Sequence, residues 1–371
     1  MVAVRKDPVA VREKDMKRII LTGGGTAGHV TPNLALVPYL KKEGYEVTYI
    51  GSLEGIEKGL VEDKGIEYYG VSSGKLRRYF DPKNFTDPFR VIKGYFDAKK
   101  ILKKLKPNVL FSKGGFVSVP VVRAASRLKI PCIIHESDMT PGLANKLCLS
   151  SADVVCCNFP ETFDMVPPEK AVLTGSPIRD ELLNGNADKG REFVGFKDDK
   201  PVIMVIGGSQ GSASVNGAIR DALNELLKDF NIVHLTGKDK QDNMLLTVEG
   251  YKQYEYITDE LPDIFAMSDL VVSRAGANAI GELLALHKPN LLIPLPSTSS
   301  RGDQILNAKS FEDQGFSMVL SEEDMTSALL IRKIHELYEN RDQYIKAMTE
   351  SPQKDAISAI VNIIIEHTKE N

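Results

Sequence analysis

Twice in this chain an apolar, β-branched run ends in a cluster of glycines and gives way at once to a segment of helical period: ILTGGGTAGHVTPNLAL from Ile20 and VIGGSQGSASVNGAI from Val205. A strand that passes through glycine into a helix leaves unpaired backbone N–H groups at the positive end of the helix dipole, and glycine lets an anion approach them. Two such turns in tandem predict two anion-binding lobes. Short β-branched runs at 18–22, 47–51, 108–112, 131–135, 153–157 and 171–175 alternate with helical segments such as 31–43 and 117–128. A second series follows at 201–208, 231–237, 269–274, 289–295 and 315–320. That rhythm marks βαβ units, so the expected class is α/β: two Rossmann-like, doubly wound lobes of parallel strands with a ligand cleft where the strand ends converge.

The length of 371 residues accommodates two such lobes. Asp180 to Lys200, rich in Gly, Asn, Asp and Lys, reads as a linker and puts the boundary near Arg179. The expected organisation is a polar extension at 1–15, an N-terminal lobe at 16–178 and a C-terminal lobe at 179–351. An amphipathic stretch at Ala356 to Ile365 suits either lobe. The balance of 47 basic against 50 acidic side chains gives −3, which provides no global attraction for nucleic acid, and none is expected as a partner. No run reaches the ~18 apolar residues of a bilayer span, and the charged start has no signal-peptide core, so neither secretion nor a transmembrane anchor is expected. Cys132, Cys148, Cys156 and Cys157 lie in or beside apolar runs, as buried thiols in a reducing cytosol do.

Local charge tells more. Between Ser72 and Lys106 eleven Lys and Arg face three Asp, interleaved with Tyr79, Phe80, Phe85, Phe89, Tyr95 and Phe96. Basic residues with amphipathic aromatics suit an anionic membrane surface, reached through 75–96; a solvated face over core aromatics accounts for the same pattern.

Several residues can carry chemistry. Gly23, Gly25 and Gly28 satisfy the spacing of a dinucleotide fingerprint, but that reading needs an acid at the tip of the second strand, and there the chain reads IGSLEG, with Gly51 and Ser52 at the tip. A phosphate or substrate site, or a turn that only packs, are the other readings. His29 follows at the start of a helix, whose positive end favours neutral imidazole poised to accept a proton; a helix cap is the alternative. Lys113-Gly114-Gly115-Phe116 and HESD at 135–138 leave neighbouring strands of the same lobe, which places His135 and Glu136 near the same crevice. In the second lobe Arg274-Ala275-Gly276-Ala277-Asn278 enters a helix carrying Glu282, an arrangement suited to a diphosphate with sugar hydroxyls beside it; Gln304 and Asn307 lie on a later helix. The six His are scattered, no Cys pair has ligand spacing and no Asp-x-Asp occurs, so no metal site and no cofactor are expected.

Together TGGGTAGHVTPNLAL, SKGGFVSVP, HESDMTPGLANK, TGSPIRDE, GGSQGSASVN, SRAGANAIGELLAL and GDQILNA resemble the MurG family of glycosyltransferases, in order and from about Lys17 nearly to the C-terminus. The resemblance implies the GT-B fold and a C-terminal helix, within 352–371, that packs back on the first lobe. It implies inverting, metal-independent transfer of N-acetylglucosamine from UDP-GlcNAc to lipid-linked muramoyl-pentapeptide (lipid I), giving lipid II, at the cytoplasmic face of the cell membrane. A related enzyme acting on diacylglycerol, an NAD-dependent oxidoreductase and a scaffold without turnover are the competing readings. By motif, His29, Gly115, Phe116, His135, Glu136, Asp138 and Asn145 meet the acceptor, with His29 the expected base and Glu136 the fallback. Arg179, Ser209, Ile257, Ala277, Asn278, Glu282 and Gln304 hold the donor; Thr26, Ala27 and Gly28, beside His29, count toward it as well. Phe116 stands where the family commonly has tyrosine and Asp138 where it has asparagine, which removes a hydroxyl contact and adds a negative charge.

Overall fold

The computed structural model describes residues 16–74, 87–208, 210–298 and 302–370. The extension 1–15, Ser209 and the part of the basic aromatic segment at 75–86 lie outside the described residues. Strands of the first sheet are β1 (Lys17–Thr22), β2 (Tyr45–Ser52), β3 (Glu67–Val71), β4 (Val109–Ser112), β5 (Cys132–Glu136), β6 (Val154–Cys157) and β7 (Ala171–Leu173). Those of the second are β8 (Val202–Ile206), β9 (Asn231–Leu235), β10 (Tyr251–Tyr254), β11 (Leu270–Ser273), β12 (Asn290–Leu292) and β13 (Met318–Val319).

The first sheet runs β3-β2-β1-β4-β5-β6-β7 and the second β10-β9-β8-β11-β12-β13. Ile19 of β1 pairs in parallel with Val47 on one side and Val109 on the other, and Ile203 of β8 likewise with Ile232 and Leu270. A strand paired on both edges and covered on both faces must be apolar throughout, and Ile19, Ile20, Leu21, Val202, Ile203, Met204 and Val205 are all buried. In each sheet the order reverses beside the first strand, between β1 and β4 and between β8 and β11. That switch leaves the loops after these strands unable to cover one another, which is where ligands enter open parallel sheets.

By contact the chain divides into two units. Unit 1 comprises residues up to His135, Ala144–Val154 and the segment from Val361; unit 2 comprises Glu136–Leu143 and Val155–Ile360. Within unit 1, Asn108, just before β4, ties β1 to the tail: its Oδ1 accepts from Arg18 N (2.8 Å), its Nδ2 donates to Lys369 O (2.8 Å), and its carbonyl accepts from Lys369 N (3.1 Å). Tyr45 of β2 shares a hydrogen bond with Thr368.

Two strands escape the sequence reading. β3, EYYGV, and β10, YKQY, are both edge strands; one flank faces no partner, so neither needs a continuous apolar run. The stretch read as a linker is instead built structure. After a turn at Asp180–Asn184 comes a helix, Ala187–Val194, capped by Asn186, whose Oδ1 accepts from Lys189 N (3.1 Å). Gly190 lets that helix close on the Asp263 carbonyl, which a Cβ would approach to 2.4 Å, and Leu182 and Val194 are buried. Its many polar residues face outward, and the glycines that suggested flexibility permit close packing. All four cysteines are buried and none forms a disulfide. Among the described residues no helix is long and apolar enough to cross a membrane.

Asn108→Ala removes two side-chain hydrogen bonds that hold the start of β1 and the tail. Each such half-buried hydrogen bond contributes about 0.5–1.5 kcal/mol, so the variant is expected to unfold a few degrees below the parent in a calorimetric scan.

Candidate active site

In unit 1 the glycine loop leaves β1 at Gly23, where a Cβ would come within 2.6 Å of the His29 carbonyl, and turns through Gly25 at φ +89°. Beneath it lies Glu57, fully buried and overlooked in the sequence. Its carboxylate accepts from Ser52 N (2.9 Å), Ser52 Oγ (2.5 Å) and Gly25 N (3.2 Å). The only hint is that Gly24, Gly51 and Gly55 surround it, each placed so that a Cβ would meet the Glu57 side chain within 2.8 Å. This acid is spent on its own loops. A dinucleotide site would turn it toward a ribose, so its placement speaks against the nicotinamide reading.

Thr26 and Ala27 are exposed and Gly28 half-buried, in the turn Ala27–His29 that precedes helix Thr31–Lys42. His29 Nδ1 lies 3.1 Å from the Lys113 carbonyl. A carbonyl only accepts, so Nδ1 carries the proton and Nε2 keeps its lone pair for a substrate. Burial holds the His29 pKa below the usual imidazole value, and the charge of Lys113 pushes it the same way; the Lys113 carbonyl and Glu57 pull it back. The ring is neutral at pH 7. Lys113 Nζ in turn meets His135 Nδ1 at 2.7 Å, and Asn145 Nδ2 donates to the His135 carbonyl at 3.0 Å. Gly115, at φ +85°, lies so close to Gly24 O that a Cβ there would meet it at 2.2 Å, with half-buried Phe116 following. Unit 1 therefore gathers His29, Gly115, His135 and Asn145 around one lysine.

In unit 2 Glu136 uses both oxygens on its own loop, accepting from Asp138 N (3.1 Å) and Gly142 N (2.9 Å). That geometry suits a residue that shapes the loop better than a base. Asp138 accepts from Asn307 Nδ2 (3.2 Å), while Asn307 Oδ1 accepts from Met139 N (3.1 Å). The unusual aspartate is thus matched by an amide on helix Asp303–Asp313.

The second glycine turn, Gly207 to Gly211, needs a left-handed residue at Gly208 (φ +85°) and at Gly211 (φ +66°), where the Thr236 carbonyl leaves no room for a Cβ. Ser212 caps helix Ala213–Leu226 by accepting from Val215 N (3.3 Å). Arg274, read from sequence only as the start of a small-residue turn, is the tie between these loops. Its guanidinium donates to Ser212 Oγ (2.7 Å), Ser214 Oγ (3.0 Å) and the carbonyls of Ile293 (2.9 Å) and Pro294 (3.2 Å), and pairs with Glu322.

Helix Ala277–Ala285 starts at Gly276 with no side chain capping it, so Ala277 and Asn278 lie in its first turn, at the positive end of the helix dipole. Glu282, one turn on, has 24% of its side chain exposed and stands 3.9 Å from Arg179 Nη2. Burial pushes its pKa up to about 7, with Arg179 opposing. Gln304 Oε1 accepts from Leu295 N (3.1 Å), and Ile257 packs in the unit 2 core. Among the described residues no group of three or more His, Cys, Asp or Glu is placed to hold a metal ion.

Two doubly wound parallel sheets, each with a glycine turn at its switch point, define the two-lobe, Rossmann-like GT-B fold. Residues 19–156 match the glycosyltransferase family 28 N-terminal domain and residues 202–362 the family 28 C-terminal domain; the chain belongs to glycosyltransferase family 28. It is similar to the UDP-N-acetylglucosamine--N-acetylmuramyl-(pentapeptide) pyrophosphoryl-undecaprenol N-acetylglucosamine transferase of Lachnospira eligens, with 61% identity over 95% of this chain and 100% of the relative. The enzyme of that name from Lachnoclostridium phytofermentans is 60% identical over 95% of this chain and 99% of its own. The crystal structure of Acinetobacter baumannii MurG matches with a TM-score of 0.75 and 28% identity, covering 94% of this chain and 99% of that one.

A carboxyl raised from 4.5 to about 7 by folding prefers its neutral form in the native state. Its ionisation therefore weakens the fold as pH climbs between those values, and the penalty is absent below about 4.5. Glu282→Gln is expected to melt with the parent near pH 4.5 and above it at pH 7.5, measured by scanning fluorimetry.

Proposed function

We propose that the chain transfers N-acetylglucosamine from UDP-GlcNAc to the 4-hydroxyl of the muramoyl sugar in undecaprenyl-pyrophosphoryl-MurNAc-pentapeptide (lipid I), giving lipid II for peptidoglycan synthesis. The observation that carries this reading is about 60% identity, along nearly the whole of both chains, with enzymes named for that transfer. No feature favours a diacylglycerol acceptor.

In this reading His29 and the loops at Gly115 and 135–145 serve the acceptor, and Arg179 with helix Ala277–Ala285 the donor. His29 Nε2 removes the proton from the 4-hydroxyl as that oxygen attacks the anomeric carbon; the C1–O bond breaks, its electron pair leaves with UDP, and the configuration inverts from α to β. The fixed Nδ1–H and lowered basicity of His29 support the assignment. The N–H groups at Ala277 and Asn278, with Arg179 and Ser209, stabilise the departing diphosphate, supplying preorganised charge without a metal. Glu282, ionised on binding, accepts from sugar hydroxyls. His135, Glu136, Asp138 and Asn145 shape the acceptor loops.

Helix Asp87–Leu105 supports attachment to the cytoplasmic face of the membrane. Phe89, Ile92 and Phe96, spaced along one helical face, are 74%, 55% and 61% exposed. Ile92 and Phe96 also line an open groove of about 620 Å³ with Tyr95, Pro120, Arg123 and Arg127. Exposed aromatics beside guanidinium groups suit an anionic lipid surface.

Purified protein, labelled UDP-GlcNAc and a short-chain lipid I analogue, with EDTA present, are expected to give the disaccharide, with no transfer to diacylglycerol; the reverse acceptor preference overturns the assignment. His29→Ala is expected to lower kcat at least ~10²-fold with UDP-GlcNAc affinity unchanged. Replacing Phe89 and Phe96 together by Ser is expected to weaken co-sedimentation with anionic vesicles at least ~10-fold while sparing turnover of the short-chain acceptor.

A further inference from the structure

We propose that Lys113 is a positioning residue for the His29 base: its carbonyl selects the ring nitrogen that keeps the proton, and its buried side chain, held by His135, keeps the imidazole uncharged. The inference rests on the reading of His29 as the group that deprotonates the acceptor.

The backbone makes the first half possible. Lys113 N donates to Thr22 O at 2.9 Å, extending the β1–β4 pairing one residue past the strand end. The chain then turns through Gly114 (φ +91°) and Gly115 (φ +85°), conformations that L side chains rarely adopt. The turn takes the Lys113 carbonyl out of the sheet ladder, and His29 Nδ1 is its partner at 3.1 Å.

The side chain makes the second half. Lysine is seldom buried, because its flexible stem normally carries the ammonium into water. Lys113 is only 1% exposed. Its Nζ lies 2.7 Å from His135 Nδ1, and an ammonium, which can only donate, pairs there with the Nε2–H tautomer of His135. One lysine thus reaches two imidazoles, by its carbonyl and by its ammonium. The charged groups acting on His29 come from two elements: Lys113 after β4 opposes its protonation, and Glu57 on helix Ile56–Glu62 favours it.

The chemistry of the substrates gives this arrangement a purpose. Donor and acceptor each carry a diphosphate, and negative charge near an imidazole favours imidazolium, which cannot accept a proton. A buried ammonium beside the base counters that pull.

The test uses the full chain with Lys113→Met, Lys113→Gln and Lys113→Arg, and two readouts. One is the titration of His29 in the ligand-free protein by NMR; the other is the pH profile of kcat/KM with the short-chain acceptor. In the Met and Gln variants His29 is expected to titrate at higher pH, and the acid limb to follow. The loss relative to the parent is expected to be at least ~3-fold greater at pH 6 than at pH 8, with UDP-GlcNAc affinity unchanged. Lys113→Arg is expected to restore both. A His29 titration that does not move in the Met and Gln variants overturns the inference, as does failure of both to fold, which would make Lys113 a structural residue. A titration that moves while the acid limb stays in place supports the tuning by Lys113 and overturns His29 as the base, so the two readings fail separately.

Discussion

The parallel pairing of β1 and β8 on both of their edges is the constraint from which the rest follows. A central parallel strand cannot be joined to its neighbours by hairpins, so each connection crosses over a helix and every loop that starts a helix collects at one end of the sheet. Where the order reverses, the loops diverge, and the glycine turns lie at that point in both sheets. The glycines at these points answer a steric demand: Gly115 and Gly211 lie against carbonyls of neighbouring loops, with no space for even one methyl group. Binding chemistry and backbone geometry are therefore consequences of the same pairing rule.

The two units solve different electrostatic problems on that common plan. Unit 1 holds a histidine neutral, with burial and a buried lysine acting together. Unit 2 raises a carboxyl to about 7, leaving it easily switched by whatever approaches Arg179 and the uncapped helix. The carboxyl thus sits close to changing state near neutral pH while the imidazole is held away from protonation, two settings that suit binding through ionisation and acceptance of a proton.

Most of the architecture could be read from hydrophobic pattern, because β1, β4, β5, β8 and β11 are buried on both faces and must be apolar. Edge strands β3 and β10 carry no such requirement and were missed. The segment Ala187–Val194 was misread because a surface helix shows the same polar composition as a linker; its packing depends on Gly190, whose role is visible only beside the Asp263 carbonyl. Among site residues, those in glycine turns were legible from motif. Glu57 and Arg274 were not, since each acts across the chain, Glu57 on Gly25 and Arg274 on Ser212, and a distant partner leaves no local signal.

The tail bonded to Asn108 has a consequence for synthesis. Val361 onward belongs to unit 1, although about two hundred residues of unit 2 are made in between. A ribosome thus delivers the first unit's opening strands early and its segment from Val361 only after unit 2. Unit 2 has nearly all of its chain before unit 1 does, and the nascent first sheet must wait, its Asn108 amide unanswered, until Lys369 has been made.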